Sequence, residues 1–325
     1  MALTLTLATF VGLSGCGVIV DARADRRETA AEQAFPPEGQ FIEVDGRRVH
    51  AVVRGSGPDL VLIHGASGST RDFTFAFMDR MADRYRVIAF DRPGLGWSDR
   101  ASDAYGGALN TAAEPPAEQA ILLQAAAAQL GAERPIVLGH SYGGAVALTW
   151  ALERPDALSG LVVLSGASNP WPGGLGPLYG IASSRLGAAT VVPMLTAFVP
   201  LSRADEAIAG IFAPQAPPEG YAEHIGVGLT LRRETLRANA RQVNSLYPHI
   251  VEMSARYGGI GVPTEIVHGT EDEIVPLTIH SEPLVTQIPG ARLTRLEGIG
   301  HMPHHVAADA VEAAIDRVAA RAGLR

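Results

Sequence analysis

The chain has 325 residues, of which 47% are hydrophobic and 18% charged; this balance excludes an intrinsically disordered chain, which would be charged and poor in apolar side chains. Its formal net charge is −8, and all 26 basic residues are arginine, scattered singly or in short pairs; without a basic stripe to neutralise phosphates, no nucleic-acid partner is expected. Cys16 is the single cysteine, which leaves no intrachain disulfide and no cysteine-based zinc or iron–sulfur site.

Residues 1–20 carry no charged side chain and read as a targeting segment rather than as fold. The tetrad Leu13-Ser14-Gly15-Cys16 is similar to the lipobox of bacterial lipoproteins, in which the cysteine becomes the lipidated first residue after cleavage. This makes Cys16 the expected lipidation position. No Lys or Arg precedes the apolar run, a departure from an ordinary export signal, and about 20 apolar residues also suffice for an uncleaved membrane anchor. The expectation is an exported, periplasmic or membrane-anchored lipoprotein, with a cytoplasmic protein as the alternative. A polar stretch continues to Pro36-Pro37, so residues 1–38 are assigned to leader and linker.

From Gln40 the chain alternates strand-like and helix-like runs. Residues 41–44 and 49–53 flank Asp45-Gly46 as a hairpin. Continuous β-branched apolar runs at 59–65, 85–91, 134–139 and 161–166 predict strands buried on both faces, as in a parallel sheet. A helix is predicted over 117–130, ending at Gly131. Two more strands, 264–268 and 292–296, alternate with helix, and a last helix runs over about 307–322. This order predicts an α/β fold with a doubly wound, mostly parallel sheet. Residues 39–168 and 263–325 form its core. Residues 169–262 break the rhythm and read as a helical insertion, with one helix around 181–198 broken at Pro193, one around 203–212 and a charged one from Leu229 to about Ser245.

Gly139-His140-Ser141-Tyr142-Gly143 lies between a predicted strand and a predicted helix. A sharp strand-to-helix turn exposes the serine hydroxyl, and glycines permit close backbone packing beside it. His64-Gly65-Ala66-Ser67-Gly68 is a flexible turn at a strand's carboxyl end, where Ala66 N–H can join Tyr142 N–H in binding an oxyanion. Downstream, Asp272 follows a strand and can orient an imidazole, though Glu271 and Glu273 offer the same chemistry. His301 follows the last strand, where it can serve Ser141 as general base; the order Ser, Asp, His suits this geometry.

These segments, with Asp91-Arg92-Pro93-Gly94-Leu95-Gly96-Trp97-Ser98, resemble the α/β-hydrolase superfamily, specifically its cap-bearing esterase, haloperoxidase-like and epoxide-hydrolase-like group. The resemblance spans residues 41–320 and implies that the insertion is a cap. Epoxide hydrolases and haloalkane dehalogenases of this type use aspartate as nucleophile; Ser141 stands here instead, which sets those chemistries aside. The spacing Gly269-x-x-Asp272-x-x-x-Pro276 matches the family's acid position and selects Asp272. The resemblance implies a serine hydrolase that cleaves apolar carboxylic esters through an acyl-enzyme, without a cofactor. A cofactor-free perhydrolase or acyltransferase, or a lactone, amide or C–C bond hydrolase, would use the same triad; a non-catalytic ligand receptor is the remaining alternative. No metal site is expected at His301, His304 and His305, because a metal site needs several convergent ligands with supporting carboxylates and the catalytic role already accounts for His301.

Overall fold

The computed structural model describes residues 2–325, with side chains from Gly17 onward; the Cys16 side chain lies outside the described residues. Eight strands form one sheet in the order β1-β2-β4-β3-β5-β6-β7-β8. They are β1 (Gln40–Val44), β2 (Arg47–Arg54), β3 (Asp59–Ile63), β4 (Arg86–Phe90), β5 (Ile136–His140), β6 (Gly160–Leu164), β7 (Thr264–Gly269) and β8 (Arg292–Leu296). β2 pairs antiparallel with β1 and with β4, and every pair from β4 to β8 is parallel. The β1–β2 turn falls on Asp45-Gly46, both at positive φ (49° and 76°), the backbone that a two-residue hairpin loop requires.

The inner strands are predominantly apolar because both of their faces are covered, whereas the edge strands β1 and β8 carry exposed polar residues. Val61, Ile63 and Val137 project into a core roofed by helices Pro116–Gln129 and Tyr142–Glu153. The alternate residues Leu60, Leu62, Ile136 and Leu138 enter the opposite core with Phe77, Met78, Val311 and Ile315, from helices Phe77–Ala82 and Ala308–Arg321.

The insertion between β6 and β7 contains seven helices between Pro177 and Ser254. Pro193 does not break its helix: Arg185–Phe198 runs through it. The break comes at Ser184, which is extended and caps the second helix by accepting from Gly187 N, so capping chemistry sets the boundary. The charged helix begins at Arg233 and ends at Asn244, and the following helix, Leu246–Ser254, returns Leu246, Ile250 and Met253 to the main core.

The N-terminal helix (Ala2–Ala34) lies along this insertion. Arg23 donates to Ala197 O at 2.6 Å and Arg27 to Val199 O at 2.7 Å, satisfying carbonyls at the end of helix Arg185–Phe198. Arg233 pairs with Glu28 at 2.9 Å, with Asp21 at 3.2 Å and with Asp25.

Candidate active site

The site is built at the carboxyl ends of the parallel strands. Ser141 follows β5 at φ 54°, ψ −119° and precedes helix Tyr142–Glu153, a strained backbone that only over-determined surroundings hold. Its N–H donates to Leu164 O at 3.0 Å, and its carbonyl accepts from Gly144 N and Ala167 N at 2.9 and 3.1 Å. A Cβ on Gly139 would lie 2.1 Å from Gly143 O, and one on Gly143 2.2 Å from Ile63 O. The elbow therefore exists only with glycine at both places.

The turn after β3 abuts this elbow: a Cβ on Gly65 would fall 3.0 Å from Ser141 Cβ. Gly65 O accepts from His64 Nδ1–H at 2.8 Å and from Arg92 Nη2 at 3.1 Å. Because the peptide is planar and trans, fixing that carbonyl aims Ala66 N–H the opposite way. Tyr142 N–H is the first of its helix and has no partner within it.

Arg92 is fully buried and spreads its donors over His64 O, Gly65 O, Gln119 Oε1 and Gln242 Oε1. Its guanidinium carbon sits 4.1 Å from the Tyr142 ring centroid, a cation–π contact. Burial lowers the Arg92 pKa to about 10. Burial, then the Arg92 charge, lowers His64 to about 4. His64 is thus a neutral brace, its Nε2 accepting from Arg92 N at 3.0 Å.

On the other side of Ser141, His301 Nδ1–H donates to Asp272 Oδ2 at 2.7 Å. Asp272 is buried whereas Glu271 and Glu273 are exposed, so of the three acids only Asp272 meets the imidazole. Its Oδ1 accepts from Ile274 N and Val275 N at 3.0 and 2.9 Å, and Oδ2 also lies 3.1 Å from His268 Nε2. Burial alone would raise the Asp272 pKa, but hydrogen bonds from His268 and His301 outweigh it and hold the carboxyl well below its ordinary range. Ser141, His301 and Ala66 line one cavity of about 270 Å³. The insertion and its neighbours give that cavity apolar walls, among them Tyr179, Ile208, Ile211, Phe212 and Ile225.

A second buried network, in which Asp72 joins His304 and His305, lies at the cavity wall and has no marker in the local sequence pattern around Asp72. Asp72 accepts from Tyr221 OH at 2.8 Å, His305 Nε2 at 2.9 Å and His304 Nε2 at 3.1 Å. One carboxylate oxygen of Asp72 and one ring nitrogen each of His304 and His305 lie within 4.8 Å of one another, and these hydrogen bonds satisfy the carboxylate. Burial favours the carboxylic acid, but His304 and His305 prevail and hold Asp72 well below its ordinary pKa. His140 Nε2–H donates to His301 O at 2.9 Å, tying this wall to the loop that carries the imidazole.

The alpha/beta hydrolase family matches residues 60–314. The chain belongs to that family. An uncharacterized protein of Mycobacterium tuberculosis is 28% identical over 280 residues, covering 83% of this chain and 77% of that protein. Among solved structures, a membrane phospholipase A described as a bacterial virulence factor aligns over 98% of this chain and 99% of its own, at 21% identity and a TM-score of 0.66. An esterase from Exiguobacterium antarcticum aligns over 86% and 99%, at 22% identity and the same TM-score of 0.66. At these identities the two structures speak for the fold alone.

Proposed function

We propose that this alpha/beta hydrolase cleaves carboxylic esters with apolar acyl or alcohol groups, through an acyl-enzyme on Ser141. The observation that carries this reading is the buried Asp272–His301 pair, joined at 2.7 Å, facing the same apolar-walled cavity as the strained Ser141. With Nδ1–H held by Asp272, the His301 Nε2 lone pair serves as base. Ser141 Oγ attacks the ester carbonyl and passes its proton to His301. The carbonyl π electrons move to oxygen, which Ala66 N–H and Tyr142 N–H stabilise; losing one such donor costs roughly 2.7–4 kcal/mol. The intermediate collapses, the bond to the alkoxide breaks, and His301 returns the proton to the leaving alcohol. Water then repeats the sequence on the acyl-enzyme.

The test is hydrolysis of p-nitrophenyl esters from acetate to laurate by the wild type, Ser141→Ala and Asp272→Asn. The expected result is turnover at some chain length, abolished in Ser141→Ala and lowered roughly 10⁴-fold in Asp272→Asn, whose amide nitrogen in the Oδ2 place donates to His301 Nδ1 and leaves the proton on Nε2. Equal turnover by Ser141→Ala refutes the reading. A wild type that reacts fully with a serine-directed phosphonate but cleaves no ester moves the assignment to another acyl chemistry or to another acceptor, such as peroxide or an alcohol.

A further inference from the structure

Helix Arg233–Asn244 of the insertion reaches the Ala66 turn at two points. Gln242 Oε1 accepts from Arg92 Nη1 at 2.9 Å, and Arg92 Nη2 in turn donates to Gly65 O. Asn239, three residues earlier and so on the same face of the helix, touches the turn directly. Its Oδ1 accepts from Ser67 N–H at 2.7 Å and its Nδ2 donates to Ser67 Oγ at 2.9 Å. Thr230, just ahead of this helix, donates to Ser67 O at 3.0 Å. The N–H, the hydroxyl and the carbonyl of Ser67 are thus all held by side chains of the insertion.

Ser67 needs this hold, because its φ is +58°, a left-handed conformation that residues other than glycine rarely adopt. If Ser67 relaxes to negative φ, the Ala66–Ser67 peptide, which carries the Ala66 carbonyl, turns with it, and the rotation reaches Ala66 N–H through the Ala66 backbone torsions. Asn239 is buried, and so its amide has no water to exchange for the Ser67 partners.

We propose that Asn239 is a positioning residue for the oxyanion turn, so that the insertion sets the aim of Ala66 N–H as well as walling the cavity. The inference rests on the reading of Ala66 as an oxyanion donor and of Ser141 as nucleophile. It assigns to the insertion an effect on kcat, where a wall alone would act on KM.

The experiment compares wild type, Asn239→Leu and Asn239→Asp in full-length protein, with active sites counted by titration with a p-nitrophenyl phosphonate. Asn239→Leu keeps the side-chain volume and removes both hydrogen bonds. Its kcat per titrated site is expected to fall about 10- to 100-fold, with KM changed by about threefold or less. Binding of a boronic acid, whose tetrahedral oxygen occupies the oxyanion position, is expected to weaken by the same factor. In Asn239→Asp a carboxylate oxygen still accepts from Ser67 N–H, so most of kcat returns. A kcat per titrated site within about threefold of wild type in Asn239→Leu overturns the proposal, as does a loss confined to the fraction of sites that titrate, the signature of a folding role. If the wild type takes up the phosphonate but cleaves no ester, only the substrate reading fails; the phosphonylation rate then reports the same expected 10- to 100-fold drop. A wild type that is not phosphonylated refutes the serine nucleophile and the role of Asn239 with it.

Discussion

Gly143→Ala separates elbow geometry from helix propensity. Gly143 is the second residue of helix Tyr142–Glu153, where alanine would ordinarily be favoured by about 1 kcal/mol. Here the new Cβ would lie 2.2 Å from Ile63 O and 2.7 Å from His64 O, and contacts under 3.0 Å are essentially never tolerated. The helix and the end of β3 must therefore separate by nearly an ångström at the point where the Ala66 turn begins. A misplacement of about 1 Å at a catalytic centre costs on the order of 100-fold in rate, and the strain outweighs the propensity gain with a destabilisation of about 1–3 kcal/mol. The assay is kcat/KM on the best p-nitrophenyl ester, beside the urea-unfolding midpoint. A variant with wild-type kcat/KM and unchanged stability would refute the claim that the elbow and the Ala66 turn are held in register by backbone contact.

Two further outcomes are expected. Burial keeps several imidazoles neutral: His64, His280 and His304 are each lowered to about 4. In the unfolded chain the same groups take up protons near 6.5, so the unfolded state binds more protons between pH 6.5 and 4, and stability falls as the pH drops through that window. For fully buried His64 the shift corresponds to about 3 kcal/mol; a urea midpoint that does not move between pH 7 and pH 4.5 would contradict it. If Cys16 is lipidated after export, radiolabelled palmitate is incorporated into the wild type and lost in Cys16→Ser; equal labelling of both refutes that assignment.

Much of the core was legible because its physics is local. Strands buried on both faces must be continuously apolar, which is how residues 59–63, 136–140 and 160–164 stand out. The serine turn is legible because strand, glycine, serine and helix are contiguous, and Asp272 and His301 each follow a strand end at a recognisable spacing. The insertion is less legible because tertiary contacts decide its elements: Pro193 sits inside a helix, while Ser184 ends the one before. The polar networks are not legible at all. Ser67 and Asn239 are 172 residues apart, Asp72 and Tyr221 149, and Asp72 and His305 233, and nothing in the local pattern at either end marks the partner.

Two of the three serines at positive φ, Ser141 and Ser67, explain why the insertion belongs to the site. Ser141 and Ser67 both have positive φ, at 54° and 58°, and each such residue costs on the order of 1–3 kcal/mol unless its surroundings over-determine it. Ser141 is held wholly by the core, through Leu164 O, Gly144 N and Ala167 N. Ser67 is held by Asn239 and Thr230 of the insertion. The serine thus answers to the core alone, and the turn that faces it answers to the core at Gly65 and to the insertion at Ser67. Their relative position is stiff because the insertion is itself tied to the core by buried hydrogen bonds, Tyr221 to Asp72 and Gln242 to Arg92, each costing about 1–3 kcal/mol in desolvation when one partner is lost. A core stripped of residues 177–254 would keep Ser141, Asp272 and His301 but would lose the Asn239 and Thr230 hydrogen bonds that hold Ser67 at positive φ.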